Sequence, residues 1–200
     1  MEKEVIKLKK EVRKFYKAND PAHDFSHVER VLKTAEIIGK KEHAELGILL
    51  PAVLLHDVKK PVKKAIPVAW QILRKLKYDK KQASKILHAI EAHSFSHAKK
   101  PKSLEAKVLQ DSDRLDALGA IGVARTFTVG GGKNRALYNA QDTFCARRSP
   151  DDLNYTVDHF YRKLLTLKSG LHTKTAKKIA GKRHKFLLEF LKQLRNEISQ

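Results

Sequence analysis

Apolar residues recur three and four positions apart along most of this 200-residue chain. Val5, Leu8, Val12 and Phe15 show the spacing in the first segment, and it is the spacing of a helix that buries one face. Helical periodicity dominates over the alternation that is typical of strands. The pattern therefore predicts an all-α protein, built as a helical bundle.

The composition indicates a single domain. Hydrophobic residues make up 42% of the chain, enough for one sizeable core in a protein of this length. We expect one domain over residues 1–200, with its motifs at about 19–128, a loop at 129–150 and closing helices within 151–198.

Caps and helix breakers predict the helix boundaries. Asp24 is the predicted N-cap of a second helix, and Gly39 begins the end of that helix. A third helix covers "HAELGILLPAVLLHDV", continues through Pro51 and ends with the help of Pro61. The other predicted helices are at about 2–18, 67–76, 79–93, 103–119, 120–128, 151–168 and 173–198.

One segment loses the helical periodicity. Val129 to Pro150 reads "VGGGKNRALYNAQDTFCARRSP" and concentrates glycine. This composition predicts a long loop, and long loops often carry function.

The charge balance is strongly basic. The chain has 42 Lys and Arg against 22 Asp and Glu, a formal net charge of +20. A field of this sign attracts nucleotides, nucleic acids and anionic membranes. Basic side chains that merely solvate the helices would give the same count, so charge alone identifies no partner.

The expected compartment follows from the single cysteine and the first segment. Because Cys145 is the single cysteine, the chain can form neither an internal disulfide nor a zinc site built from thiolates. The segment "MEKEVIKLKKEVRKFYK" is charged throughout, and it resembles neither a secretion signal nor a membrane span. We expect a soluble cytoplasmic protein without a membrane partner, and no sequence feature specifies its oligomeric state.

The segment "AVLLHDVKKP", residues 52–61, raises the central question about function. An apolar run ends abruptly in His56 and Asp57, which are adjacent and diverge by about 100 degrees on a helix. Both side chains can still reach one cation between them. The remaining ligands must come from other helices, and the candidates are His27 and one carboxylate of "LQDSDRLDAL", namely Asp111, Asp113 or Asp116.

Two imidazoles and two carboxylates indicate the chemistry of such a site. This donor set suits Mn, Fe, Co, Ni or Zn, whereas Ca would prefer oxygen ligands alone. Four protein ligands leave positions for water and substrate, so a hydroxide could form and attack phosphorus. The residues therefore predict a hydrolase.

The order His27, His56-Asp57, Asp113 resembles the H…HD…D signature of the HD-domain metal-dependent phosphohydrolases, an all-helical superfamily. "AHDFSHVERV", "AVLLHDV", "AIEAHSFS" and "LEAKVLQDSDRLDALGAIGVARTF" occur in the order seen in a subgroup of small bacterial HD hydrolases. "HFYRKLLTLK" and "AGKRHKFLLEFL" resemble the C-terminal helices of that subgroup, so the likeness covers roughly residues 19 to 195.

This resemblance implies specific roles. His27 would be the first metal ligand, His56 and Asp57 the central pair, and Asp113 the fourth ligand. The expected cofactor is one divalent ion, Mn first, with Co, Ni, Fe, Zn or Mg as alternatives. Members of the subgroup resemble nucleotide pyrophosphohydrolases, which cleave nucleoside triphosphates between the α and β phosphorus atoms.

Several further residues are candidates for catalysis. Asp57 could orient the attacking water as well as bind the metal. Asp116 could hold a water or a ligating histidine, with a salt bridge to a nearby lysine as the alternative. His93, within "HSFS", could contact a phosphate or protonate a leaving group; His88 and His97 are weaker candidates, and His23 beside the capping Asp24 is interpreted as a packing residue.

Basic residues supply the candidates for substrate binding. Lys60, in the run that follows the HD pair, could hold the outer phosphates of a triphosphate. Arg125 could reach the same phosphates, and Lys133 could do so from a flexible lid formed by "GGGKNR". "HDVKKP" lacks the acidic residues that follow the pair in alarmone hydrolases, so hydrolysis of alarmones is disfavoured.

Two other functions are compatible with the same sequence. A nucleoside monophosphatase or a phosphodiesterase would use the same site with a different pocket. A basic helical module that binds nucleic acid, with a vestigial HD site, is less favoured because all four candidate ligands are present.

Overall fold

The computed structural model describes residues 2–16, 24–93 and 100–199. Across these ranges the chain is helical, with one isolated bridge between Ala136 and Tyr155 and no β-strand. The all-α prediction is confirmed. The helices are α1 (Glu2–Arg13), α2 (Phe25–Glu42), α3 (Leu46–Leu55), α4 (Val62–Lys75), α5 (Lys80–His93), α6 (Leu104–Asp116), α7 (Gly119–Gly132), α8 (Asp158–Arg162), a 3-10 helix (Leu164–Gly170) and α9 (Lys174–Ile198).

The chain forms two compact units. The first comprises Met1–Asp113 together with His172–Ala176, and the second comprises Arg114–Leu171 together with Lys177–Gln200. The extent of the domain stays a prediction. In the part of the chain that the structure describes, no helix is long and apolar enough to cross a membrane.

Helix α3 is the centre of the first unit. Its residues from Ile48 to Leu55 are all buried, as expected of a helix that is apolar on every side. It packs against α1, α2 and α5, and it continues through Pro51 as predicted. Because α3 ends at Leu55, the His56-Asp57 pair lies directly at the end of the most buried helix of this unit.

The role predicted for Gly39 is wrong. Helix α2 continues to Glu42 and ends at His43, which adopts the left-handed conformation. A Cβ atom at Gly39 would lie 2.6 Å from Cδ2 of Leu49. The glycine therefore permits the close packing of α2 on α3 and does not end the helix.

The predicted loop begins later than Val129. Helix α7 continues to Gly132, so all three glycines of "GGGKNR" belong to its last turn. Gly130 packs so closely on Thr156 that a Cβ atom would lie 2.2 Å from the threonine Oγ1. The glycines of this segment indicated a loop, but tertiary packing keeps the segment helical.

The helix predicted at 151–168 is also wrong in its extent. Residues 151–157 form turns, followed by α8 and the 3-10 helix. The fully buried carboxylate of Asp158 binds the guanidinium of Arg148 at 2.8 Å and the backbone N–H of Asp151 at 2.6 Å. The backbone N–H groups of Thr156 and Val157 donate to the carbonyls of Ala136 and Leu137, so they do not continue a helix.

Candidate metal centre

His27 lies in the first turn of α2 with its side chain only 1% exposed. The turn is fixed by Asp24, whose carboxylate accepts a hydrogen bond from the His27 backbone N–H at 3.1 Å. The prediction of Asp24 as N-cap is confirmed. The cap aligns the helix that presents the first imidazole.

His56 is the C-cap of α3 and is also 1% exposed. Its Nδ1 lies 2.6 Å from the carbonyl oxygen of Val53. A carbonyl only accepts hydrogen bonds, so Nδ1 must carry the proton and Nε2 must carry a lone pair. That Nε2 is buried and has no hydrogen-bond partner among the residues described, which fits a nitrogen that binds a metal.

His93 repeats this arrangement at the end of α5. Its Nδ1 contacts the carbonyl oxygen of Ile90, again three residues earlier. The His93 ring lies nearly perpendicular to that of His56, with 5.1 Å between the ring centroids. Both imidazoles are therefore held in the same tautomer by their own helices.

Two carboxylates complete the cluster. Oδ1 of Asp113, on α6, lies 3.4 Å from Nε2 of His27 and 3.9 Å from Nε2 of His56. Oδ2 of Asp57 lies 3.9 Å from the same His56 nitrogen. His56 Nε2 thus stands between the carboxylates supplied by α6 and by the end of α3.

These five residues form two overlapping sets of potential ligands. One set is His27, His56 and Asp113, and the other is His56, Asp57 and His93. Within each set, the potential ligand atoms all lie within 4.8 Å of one another. One ion with bonds of about 2.0 to 2.2 Å holds its ligand atoms within about 4.4 Å of one another, so each set can hold a cation after a small contraction.

The electrostatics favour the forms that bind a metal. Burial lowers the pKa of His56, which keeps the imidazole neutral. Burial by itself would raise the pKa of Asp113, but the hydrogen bond with His27 and the nearby ring of His56 outweigh it and hold that pKa well below its usual range. The pKa of Asp57 is likewise lowered, because His56 and Lys60 outweigh the effect of burial. Neutral imidazole and ionised carboxylate are the states that ligate metals.

The structure brings five of the predicted residues together and places the others as follows. Lys60 lies beside the cluster, with Nζ 3.2 Å from Oδ2 of Asp57. In the second unit, Asp116 is buried and accepts from Arg125 at 2.8 Å, so its salt-bridge partner is an arginine and not the lysine of the alternative. Lys133 is the exposed C-cap of α7. Their roles in catalysis and substrate binding stay predictions.

The remaining histidine and aspartate candidates lie apart from the cluster or outside the described residues. His88 is half-buried on α5, and His23 and His97 fall outside the described ranges. Asp111, a candidate ligand in the sequence, has a structural role. Its buried carboxylate accepts from the backbone N–H groups of His172 and Thr173 and from the Thr173 hydroxyl.

The sequence did not single out Tyr16. Tyr16 follows the apolar spacing of the first helical segment, and that spacing gives its hydroxyl no role. Its hydroxyl is buried and has no hydrogen-bond partner among the described residues, and burial together with the charges of Asp57 and Asp113 raises its pKa.

An all-α fold with imidazoles and carboxylates gathered from the ends of separate helices defines the metal-dependent phosphohydrolases of the HD type. The HD domain family matches residues 24–118. The chain is also 39% identical over 185 residues to the uncharacterised protein YpgQ of Bacillus subtilis, an alignment that covers 88% of this chain and 84% of YpgQ. The chain therefore belongs to the HD superfamily and is a hydrolase of that superfamily.

Solved structures agree with this assignment. The structure of Bacillus subtilis YpgQ in complex with ADP has a TM-score of 0.80 at 34% identity and covers 98% of this chain and 95% of its own. An HD-superfamily hydrolase from Bacillus thuringiensis has a TM-score of 0.79 at 32% identity, with 98% and 97% covered. The superfamily assignment made from the sequence motifs is confirmed.

Proposed function

We propose that this protein is a divalent-metal-dependent hydrolase that splits nucleoside triphosphates into nucleoside monophosphate and pyrophosphate. One metal would be held by His27, His56, Asp57 and Asp113. The observation that carries the proposal is the buried Nε2 of His56, which faces two carboxylates and has no hydrogen-bond partner among the described residues.

The donor set supports the choice of metal. Two imidazole nitrogens with two carboxylate oxygens suit manganese, and the absence of thiolates from the set makes it less suited to softer ions. When bound, the ion would polarise a phosphoryl oxygen and lower the pKa of a water molecule. We propose manganese as the ion that supports the highest activity.

Two observations support a nucleotide substrate. The related YpgQ was solved with ADP bound. In this chain, Lys60 is half exposed and its ammonium lies within 3.2 Å of the proposed ligand Asp57. An ammonium group beside the metal can bind the outer oxygens of a polyphosphate, and we propose that Lys60 does so.

His93 is proposed to act on the leaving group. It is nearly buried, and its Nδ1 is engaged by the Ile90 carbonyl, so Nε2 is the nitrogen that can exchange a proton. The ring lies 5.1 Å from that of His56, and a nitrogen of His93 lies within 4.8 Å of potential ligand atoms of His56 and Asp57. From there it could protonate the departing phosphate oxygen.

The experiment is to measure phosphate and pyrophosphate release from a panel of nucleoside mono-, di- and triphosphates, with Mn, Co, Ni, Zn, Fe or Mg. Asp57→Ala removes a proposed ligand, and Glu36→Ala, an exposed acidic residue on α2, is the matched control. Circular dichroism checks that both variants keep their helices.

Pyrophosphate released together with a monophosphate, only with metal and only in the intact and Glu36→Ala proteins, is the expected result. Orthophosphate released from monophosphates would instead support the monophosphatase alternative. Full activity of Asp57→Ala would refute the proposed site, and inactivity across the panel would refute a nucleotide substrate.

A further inference from the structure

We propose that the second unit carries a binding site for a small phosphate-bearing anion, in a cavity formed by the 3-10 helix and α9. The cavity has a volume of about 420 Å³ and is lined by Leu165, Lys168, Ser169, Lys177 and His184. All of these residues belong to the second unit, whereas the proposed metal ligands belong to the first. The site shares no residue with the proposed metal centre and does not depend on the proposed reaction.

The charged lining of this cavity is basic. Lys168 and Lys177 contribute two ammonium groups, one from each helix, and no acidic residue of the described part of the chain lines the cavity. Neither of these lysines forms an ion pair with a described residue, whereas Lys185, also on α9, has Glu189 at 3.7 Å. A cavity lined by charges of one sign attracts a ligand of the opposite sign. The lining therefore favours an anion.

His184 adds a neutral hydrogen-bond donor. Burial, and then the charge of Lys168, lower the pKa of its imidazole, so the ring is neutral at about pH 7 and carries one proton. Its Nδ1 is buried and has no hydrogen-bond partner among the described residues. Because a buried N–H without an acceptor is unfavourable, the proton is on Nε2. That nitrogen is the one that can donate to an anion in the cavity.

Gly181 leaves space free between Lys177 and His184. It lies four residues after the lysine and three before the histidine, on the same face of α9. A Cβ atom at Gly181 would meet no described residue outside its own helical turn within 4 Å, whereas neighbouring side chains block the Cβ positions of Gly39 and Gly130. Glycine destabilises the interior of a helix relative to alanine. Packing does not account for Gly181, but an open cavity beside it does.

The charges and the volume indicate the class of ligand. A phosphate group carries close to two negative charges at about pH 7, whereas a carboxylate carries one, so two ammonium groups match a phosphate. The Ser169 hydroxyl donates to the carbonyl of Thr166 at 2.7 Å, which leaves the two lysines and His184 as the donors. The volume lies within the range of small-molecule sites, about 300 to 1,000 Å³. It leaves room for an organic group against Leu165.

The test measures the binding of inorganic phosphate, pyrophosphate and adenosine monophosphate by isothermal titration calorimetry. Lys168→Gln and Lys177→Gln each remove one ammonium group from the cavity. Lys178→Gln is the matched control, because it removes the same charge from an exposed neighbouring position of α9 that does not line the cavity. Asp57→Ala, which removes a proposed metal ligand, is titrated alongside to distinguish the cavity from the metal centre.

Loss of one hydrogen bond to a charged group weakens binding by about 10-fold or more. We therefore expect Lys168→Gln and Lys177→Gln to bind phosphate at least about 10-fold more weakly than the intact protein. Lys178→Gln and Asp57→Ala should keep the affinity of the intact protein.

Gly181→Leu gives a second readout. Leucine is a better helix former than glycine, so this variant should melt above the intact protein. Its side chain would occupy the space between Lys177 and His184 and weaken phosphate binding. A glycine with a purely structural role would give the opposite result, a lower melting temperature with unchanged affinity, which overturns the role of Gly181.

The other outcomes are equally distinct. Equal affinities of the intact protein and Lys177→Gln overturn the site, as does equal weakening by Lys177→Gln and Lys178→Gln, which would show a general attraction to a basic surface. No binding of any of the three probes by the intact protein at millimolar concentration also overturns it. Binding lost in Asp57→Ala and kept in the cavity variants would assign the anion to the metal centre instead.

The three probes distinguish the sources of the phosphate group. Tighter binding of adenosine monophosphate supports the site with a phosphate ester as its ligand. Tighter binding of phosphate or pyrophosphate supports the site with an inorganic anion as its ligand.

Discussion

The adjacent glycines Gly130 and Gly131 give a sharp test of the packing in the second unit. Both lie in the last turn of α7, so Gly→Ala has nearly the same effect on helix propensity at each position. The surroundings differ completely. At Gly130 a Cβ atom would meet Thr156, whereas a Cβ atom at Gly131 would meet no described residue outside its own helical turn within 4 Å.

The expected magnitudes follow from these contacts. A Cβ at Gly130 would lie 2.2 Å from Oγ1, 2.7 Å from Cγ2 and 3.0 Å from Cβ of Thr156. Rotation of the threonine side chain cannot move its own Cβ, and Thr156 is buried. The overpacking therefore costs about 3 kcal/mol, while the gain in helix propensity is about 1 kcal/mol. Gly130→Ala should lose about 2 kcal/mol of unfolding free energy, and Gly131→Ala should gain about 1 kcal/mol.

The difference between the two variants is then about 3 kcal/mol, or roughly 6 to 12 °C in melting temperature for a chain of this size. Thermal and urea unfolding measure this difference directly, with the helical circular dichroism signal at about 222 nm as the readout. If Gly130→Ala is as stable as Gly131→Ala, the close packing of α7 on Thr156 is wrong. The segment would then be the loop that the glycine content indicates.

Three further predictions concern the site and the single cysteine. His93→Asn should lower turnover by about 100-fold or more with little loss of helix content. His88→Asn, on the same helix, should keep the turnover of the intact protein. Equal turnover of His93→Asn and the intact protein in steady-state assays would exclude His93 from the reaction. Mn²⁺ at 100 times its dissociation constant should stabilise the protein by about 2.7 kcal/mol, and a thermal shift of equal size in His56→Asn would show that the metal binds elsewhere. Burial and the charge of Asp158 raise the pKa of Cys145 to about 11. Iodoacetamide should therefore alkylate Cys145 about two orders of magnitude more slowly than an ordinary thiol at about pH 8. The alkylation rate should rise until about pH 11, and a plateau at about pH 9 would contradict this environment.

The sequence was most informative where one residue type at a fixed spacing serves one purpose. The apolar run before His56 predicted a buried helix, and α3 is buried. Asp24 predicted the start of α2 because a short acceptor before an apolar run caps a helix. The motifs placed His27, His56, Asp57 and Asp113 in one cluster, and the structure brings them together.

Predictions were wrong where glycine was judged by its local preference alone. Gly39 and Gly130 indicated a helix end and a loop, because glycine is a poor helix former. Both lie inside helices, where a neighbouring side chain occupies the space of a Cβ atom. The sequence around each glycine gives no sign of that neighbour, since Leu49 and Thr156 are distant in the chain.

The apolar spacing also could not predict the hydrogen bonds that side chains make outside the helices. The 151–157 turns depend on Asp158, whose carboxylate binds Arg148 and the Asp151 backbone.

Asp111 accepts three hydrogen bonds from residues 172 and 173. We therefore expect the metal centre to fold late during translation. All of the proposed ligands have been translated once the ribosome reaches residue 113. Asp111, two residues earlier on the same helix, lacks its partners until Thr173 emerges, about 60 residues later, and a buried carboxylate without partners is strongly unfavourable. We therefore expect a nascent chain that ends before residue 172 to contain every ligand and to bind metal poorly.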